Sequence, residues 1–180
     1  ERQRDAGDVL RVVAPYAWGT LEGTVAGQFE SVRRSGLRDP IVRFAVNLYG
    51  APSMSPKEFA AYRPRTNVVA SVTIVAPLGQ YDPAKLINLG TNRWSVKPEV
   101  GVSRTNGRVS LDFYGGVWLF TDNNNFRGLT REQAPIGSAQ FHLSYTVRPR
   151  MWVAFDANFY AGGRTTINKI PGGDLQRNSR

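Results

Sequence analysis

Cysteine is absent from the 180 residues, and histidine occurs once, at His142. The first absence removes disulfides, thiolate metal sites and cysteine nucleophiles, and the second removes any histidine-rich metal centre. No stretch approaches the ~18 apolar residues that a membrane-spanning helix requires. That excludes helical spans but not a barrel, whose strands carry only a weak alternating signal. Lysine is scarce as well, confined to Lys57, Lys85, Lys97 and Lys169. The positive charge, 23 Lys+Arg against 14 Asp+Glu for a net +9, is therefore carried mainly by arginine. Planar guanidinium suits phosphate-bearing partners, whether nucleic acid or anionic headgroups. These arginines are scattered over strand ends and loops and are not gathered on one helix. Outer-membrane lipid and lipopolysaccharide are the expected partners, and nucleic acid is not. The chain has no initiator Met and no signal peptide and stops in a polar stretch, so a mature or trimmed chain is expected, a single domain over 1–180.

What is abundant is alternation. In residues 95–120, Val96, Pro98, Val100 and Val102 alternate with Lys97, Glu99, Gly101 and Ser103. Past Asn106-Gly107 the pattern resumes, with Val109, Leu111, Phe113, Val117 and Leu119 against Ser110, Asp112, Tyr114, Gly116 and Trp118. Asn-Gly is a strong signal for a two-residue hairpin turn, because both central positions of a type I′ turn need positive φ. A turn there pairs Val102 with Leu111, Val100 with Phe113, and Glu99 with Tyr114. Each arm runs to roughly 12 residues, where an ordinary strand has about 5–6 and a bilayer-spanning one about 9–11. A second hairpin joins 136–147 to 151–162 through Arg148-Pro149-Arg150. It pairs Val147 with Met151, Tyr145 with Val153, Leu143 with Phe155 and Phe141 with Ala157. On its other face His142 meets Asp156 and Gln140 meets Asn158.

Further strands are expected over 9–18, with Pro15 at an edge or bulge, and over 21–29, 41–49 and 66–77. A short helix within 50–65 has Ser55 as its cap, Pro56 in the first turn and Glu58 completing a capping box. Loops fill 33–40, 78–93 and 121–135, and the tail 163–180 reads as loop. Short connections thus alternate with long ones, as in outer-membrane barrels. Trp18, Trp94, Trp118, Trp152 and Tyr160 lie near strand ends, where an aromatic girdle would place them. The expected fold is all-β, an antiparallel up-and-down transmembrane barrel with about eight strands in this chain. A soluble barrel or sandwich with its apolar face inward would show the same alternation. With the apolar face toward lipid, Arg43, Asn47, Lys97, Glu99, Asp112, Tyr114, Gln140, His142, Asp156 and Asn158 line a lumen, together with Ser71 and Thr73. Arg43, Lys97, Glu99 and Asp112 would then either plug a narrow barrel by ion pairing or form a charged selectivity lining.

The segments SGLRDPIVRFAVNLYGAP, VVASVTIVAPLGQYDPAKLINLGTNRWSVKPEVGVS, FYGGVWLFTDN and MWVAFDANFYAGGRTT resemble a bacterial outer-membrane transporter family described as "MetA-pathway of phenol degradation". The resemblance runs from about residue 12 to 176, and its SGLxDP and APLGQYDPxKLINLGTNRW elements are its most specific parts. It implies a barrel of about twelve strands, of which the last would be missing here. It also implies uptake of small, aromatic or hydrophobic solutes across the outer membrane of a Gram-negative bacterium, with no catalytic residues. By the same resemblance, 33–40, 78–93, 121–135 and 163–180 would be extracellular, and 50–65, 105–107 and 148–150 periplasmic.

Other chemistry finds little support. Ser144, His142 and Asp156 are the ingredients of nucleophilic catalysis, and an outer-membrane phospholipase also carries a His-x-Ser on a barrel strand. Here Tyr145-Thr146 stands where that family has Asn-Gly, no oxyanion donor is evident, and the lumen is the wrong side for a lipid hydrolase. Gly115-Gly116 and Gly162-Gly163 lack the context of a phosphate-binding loop. Asp82, Asp122 and Asp174 lack the spacing of a calcium loop. No catalytic residue, metal or cofactor is expected. The readings that remain are a transporter or channel, a plugged barrel with a structural or surface-interaction role, a lipid hydrolase, and a soluble basic nucleic-acid-binding protein.

Overall fold

The two long hairpins read from the alternation form the centre of one eight-stranded antiparallel sheet. The structure is a computed structural model that describes residues 9–25, 27–50, 66–85, 87–171 and 175–179. The helix expected within 50–65 lies outside the described residues. The strands are β1 (Val9–Val13), β2 (Tyr16–Val25), β3 (Gln28–Leu37), β4 (Ile41–Tyr49), β5 (Thr66–Val75), β6 (Ser95–Asn106), β7 (Val109–Phe120), β8 (Asn123–Phe126), β9 (Leu129–Gln133), β10 (Ile136–Arg148), β11 (Met151–Gly162), β12 (Thr165–Ile167), β13 (Ile170–Pro171) and β14 (Leu175–Ser179). The large sheet runs β1-β4-β5-β6-β7-β10-β11-β14, with every pairing antiparallel. Among the described residues its two edge strands do not meet, so the barrel is open between β1 and β14.

The central turn falls one residue later than Asn106-Gly107 suggests. Asn106 pairs with Val109, leaving Gly107 and Arg108 as the loop, with Gly107 at φ 58° and Arg108 not left-handed. A positive φ at the first central position alone is the type II′ pattern, which glycine meets without asking Asn106 to turn left-handed. The register moves by two residues, so Val102 faces Phe113 and not Leu111, and Glu99 faces Gly116 and not Tyr114. An even shift keeps every side chain on its face, so the division into polar and apolar faces survives the correction. In the last hairpin the expected pairs from Gln140–Asn158 to Tyr145–Val153 are all present. Only its end differs: Arg148 pairs with Met151 and a bulge falls at Val147, so the expected Val147–Met151 pair does not form.

Other expectations are corrected as well: the single strand expected over 21–29 is divided between β2 and β3, and the loop expected over 121–135 carries β8 and β9. The strand expected over 9–18 ends at Val13, and Ala14-Pro15 breaks it before β2 begins. Residues 33–37 are not loop, because β2 and β3 pair along their whole length from Tyr16–Leu37 to Val25–Gln28 as a separate hairpin. The missing amide of Pro15 makes a natural exit from the main sheet, and its carbonyl accepts the Arg38 amide at 2.8 Å where the chain returns. The tail is not loop either. β14 adds to the edge beside β11, while β12 and β13 join β9 and β8 in a four-stranded outer sheet.

Four long connections leave from one end of the large sheet: 14–40, 76–94, 121–135 and 163–174. The tight turns at 107–108 and 149–150 lie at the other end, where the chain also passes from β4 to β5. The burial pattern then decides which way the sheet faces. Ser71, Ser95, Lys97 and Ser138, all on the polar face, are buried, and Lys97 retains only 8% exposure. On the opposite face Phe44, Val100, Phe113, Leu119 and Phe155 are open, Phe113 at 53%. A soluble barrel or sandwich would show the reverse, since continuous exposed apolar area of this extent is foreign to water-facing surfaces. The sheet is inside-out, with strands of up to 13 residues, long enough for a bilayer.

Replacing Gly107 with valine forces a β-branched residue into left-handed backbone, at a cost of about 1–3 kcal/mol. The full-length protein refolded in detergent is expected to unfold at lower urea concentration as Gly107→Val, and an unchanged midpoint would contradict the II′ turn.

Candidate pore lining

The cross-strand ladder brings all ten sequence-predicted lining residues to one face. One row runs Arg43–Thr73–Lys97, and a second runs Ser71–Glu99–Gly116–Ser138–Tyr160. Below them lie Asn47–Val69–Gly101–Tyr114–Gln140–Asn158 and Asn67–Ser103–Asp112–His142–Asp156. The face is most enclosed around Lys97 and Glu99 and opens toward β11, where the Asp156 side chain is well exposed.

Charge is concentrated in the enclosed part. The Glu99 carboxylate bridges two cations, with Oε1 accepting from Arg43 Nη2 at 3.2 Å and Oε2 paired with Lys97 Nζ. Arg43 Nη2 also donates to Ser71 Oγ at 3.2 Å, and Lys97 Nζ stands 5.8 Å from the centre of the Trp118 ring. Such a cluster is tenable on a nearly buried face because each ion is partnered; removing one member would leave an uncompensated charge. The opposing residue is what makes room: a Cβ on Gly116 would come within 3.0 Å of Lys97 Cε and 3.2 Å of Glu99 Cβ. Tyr114 similarly lies over Gly101, where any Cβ would enter its ring. Of the four charges expected to associate, Asp112 stays apart, in the row of His142 and Asp156.

His142 Nδ1 and Asp156 Oδ1 are 2.5 Å apart, as their expected pairing requires. Ser144 sits one step along the strand opposite Ser110 and Ala154, and among the described residues no hydrogen bond joins it to His142. The pair is a cross-strand polar contact without a nucleophile. The aromatic residues divide differently from the expected girdle. Trp118, Trp152 and Tyr160 share the polar face with Gly116, Asp156 and Asn158, Trp18 lies in the β2–β3 hairpin, and Trp94 precedes β6. Trp118 alternates with the polar residues of β7 in the sequence, and the structure keeps it on their face.

Sequence reasoning missed the polar hub at the long-loop end. Asp39, nearly buried, accepts at Oδ1 from the Gly79 amide at 2.9 Å, and at Oδ2 from the Thr91 amide and hydroxyl, both at 2.7 Å. The signal was present in the segments SGLRDP, APLGQ and LGTN, which this single carboxylate draws together. Asn123, 2% exposed, accepts from Asn92 Nδ2 and the Asn125 amide and donates to Tyr81 Oη and the Thr91 carbonyl. It ties the 76–94 loop to β8.

A protein-family profile described as "MetA-pathway of phenol degradation" matches residues 4–180. Among solved structures, an outer membrane channel from Pseudomonas putida F1 is similar, with 21% identity and a TM-score of 0.64 over 90% of this chain and 58% of that chain. The chain therefore spans a little over half the length of the channel it matches. No curated protein matches.

Asp39→Ala strands three donors, each costing about 1–3 kcal/mol when left unsatisfied. In the full-length protein, limited proteolysis within 76–94 is expected to accelerate roughly tenfold or more. Unchanged cleavage would show that the loop is held by other contacts.

Proposed function

Because this chain belongs to the family described as "MetA-pathway of phenol degradation", we propose that it forms the greater part of an outer-membrane β-barrel channel for small solutes. The observation that carries this reading is the inverted burial: charged and polar side chains are enclosed while the aromatic and aliphatic face is open. An outward apolar face suits lipid acyl chains, and the arginine-rich long-loop end suits lipopolysaccharide phosphates. The open edges at β1 and β14 must then pair with further strands, since no backbone group can stay unpaired against lipid. The family's description favours small aromatic or hydrophobic solutes, and a Gram-negative outer membrane is the setting this implies.

The polar face acts as a lining and performs no chemistry in this reading. Its narrowest chemistry is the Arg43–Glu99–Lys97 cluster, where one carboxylate holds two cations. A solute crossing there meets a net charge of one positive unit, which suits neutral molecules and anions better than cations. The plugged-barrel alternative uses the same cluster as a seal, and conductance separates the two.

In planar bilayers the full-length protein is expected to conduct weakly, with a modest preference for anions. Glu99→Gln leaves Arg43 and Lys97 uncompensated, so the reversal potential in a salt gradient is expected to move toward that of chloride. A wild-type protein that neither conducts nor admits neutral solutes into liposomes would overturn the channel and leave the sealed barrel.

A further inference from the structure

At the long-loop end, the 76–94 loop and the four-stranded outer sheet line a cavity of about 320 Å³. Tyr81, Ile87 and Phe126 give it apolar walls, and Thr91, Arg93 and Arg131 give it polar ones. The neutral polar groups already have partners. Thr91 Oγ1 donates to Asp39, Tyr81 Oη donates to the Asn125 carbonyl at 2.9 Å, and Asn123 has both ends of its amide bonded.

The two arginines are different. Arg93 Nη2 donates to Gln133 Oε1 and its guanidinium lies 4.4 Å from the centre of the Phe120 ring, yet Nη1 is buried without a hydrogen-bond partner. Arg131 stacks 5.3 Å from the centre of Phe126, and its Nε is likewise buried and unpartnered. No ion pair among the described residues reaches either guanidinium. Burial, and then the like charge of Arg131, pull Arg93 down to about 10, against the partial support of Asp122 and Asp39. Arg93 stays charged at neutral pH, and the two guanidinium groups lie close together and short of an anion. Guanidinium forks match carboxylate oxygens in pairs. The volume lies at the small end of ligand pockets, and the mainly apolar wall favours a body without further charge.

We propose that this cavity binds a small organic carboxylate, with its carboxylate between Arg93 and Arg131 and its apolar body against Ile87 and Phe126. The site lies in the loops and does not depend on whether the barrel conducts. An inorganic oxyanion would satisfy the arginines but leave the apolar walls unfilled, so a ring-sized acid is the better match.

The test uses the full-length protein in detergent, following thermal unfolding with benzoate, its neutral analogue benzamide, or inorganic phosphate at fixed ionic strength. Benzoate is expected to raise the unfolding temperature saturably, while benzamide does not and phosphate does so weakly. Arg131→Gln is expected to weaken benzoate binding roughly tenfold or more, as loss of a charge-assisted contact would. Should that variant fail to fold, Arg131→Lys retains the charge without the fork, and a smaller loss of affinity is expected. Equal shifts with benzoate and benzamide would overturn the proposal, as would a shift with phosphate alone, no shift at all, or full affinity in the folded Arg131 variant.

Discussion

A sheet whose outer face is apolar cannot leave backbone amides or carbonyls to be met by the medium on that side. Every strand must find its partners in its neighbours, and this obligation governs the rest of the structure. It sets strands of 12 and 13 residues in β6, β7, β10 and β11, well beyond those of ordinary sheets. It also sends polar side chains to the opposite face, where they satisfy one another. Arg43, Glu99 and Lys97 are the clearest result: one ion on β4 and two on β6, meeting across β5 and packed where Gly116 leaves space.

The same constraint explains the asymmetry of the two ends. Tight turns at one end hold hairpins in register, while the other end builds structure of its own. There, buried polar groups do what a hydrophobic core does elsewhere. Phe126 and Ile136 are the only buried hydrophobic residues among those described, whereas Asp39 and Asn123 are buried and fully bonded. Asp39 and Asn123 hold this cap together through hydrogen bonds that are expensive to break, because a buried partner has no water to replace them.

Much of this was legible in the sequence because a period of two leaves its mark on every residue of a strand. The faces of β4, β6, β7, β10 and β11, and so the shared face of all ten candidate lining residues, follow from alternation alone. Alternation could not say which face was inside, since it is identical for a soluble and a membrane barrel; exposure of the folded chain was needed. Nor could it fix the turn at Gly107-Arg108, because registers two residues apart satisfy the same faces. The β2–β3 hairpin was obscured by Arg33, Arg34 and Gly36, whose composition suggests a loop. It pairs because it leaves the main sheet, where no second layer imposes a hydrophobic pattern. The cap was hidden for another reason: Asp39, Arg93, Asn123 and Arg131 come together through contacts that no local pattern encodes.

Asp39 also bears on the order of assembly. Its bonds to Gly79 and Thr91 span 40 and 52 positions of chain, whereas most ladder contacts of the large sheet lie between strands adjacent in sequence. Hairpins between neighbours close small loops and form quickly; a contact that spans three strands must wait for them. The carboxylate therefore engages only once β4, β5 and β6 are correctly aligned, since a slip of one step would carry Gly79 and Thr91 out of its reach. A side chain that seems to hold a loop in place is also a check on the alignment of the strands beneath it, engaged last and only by the right arrangement.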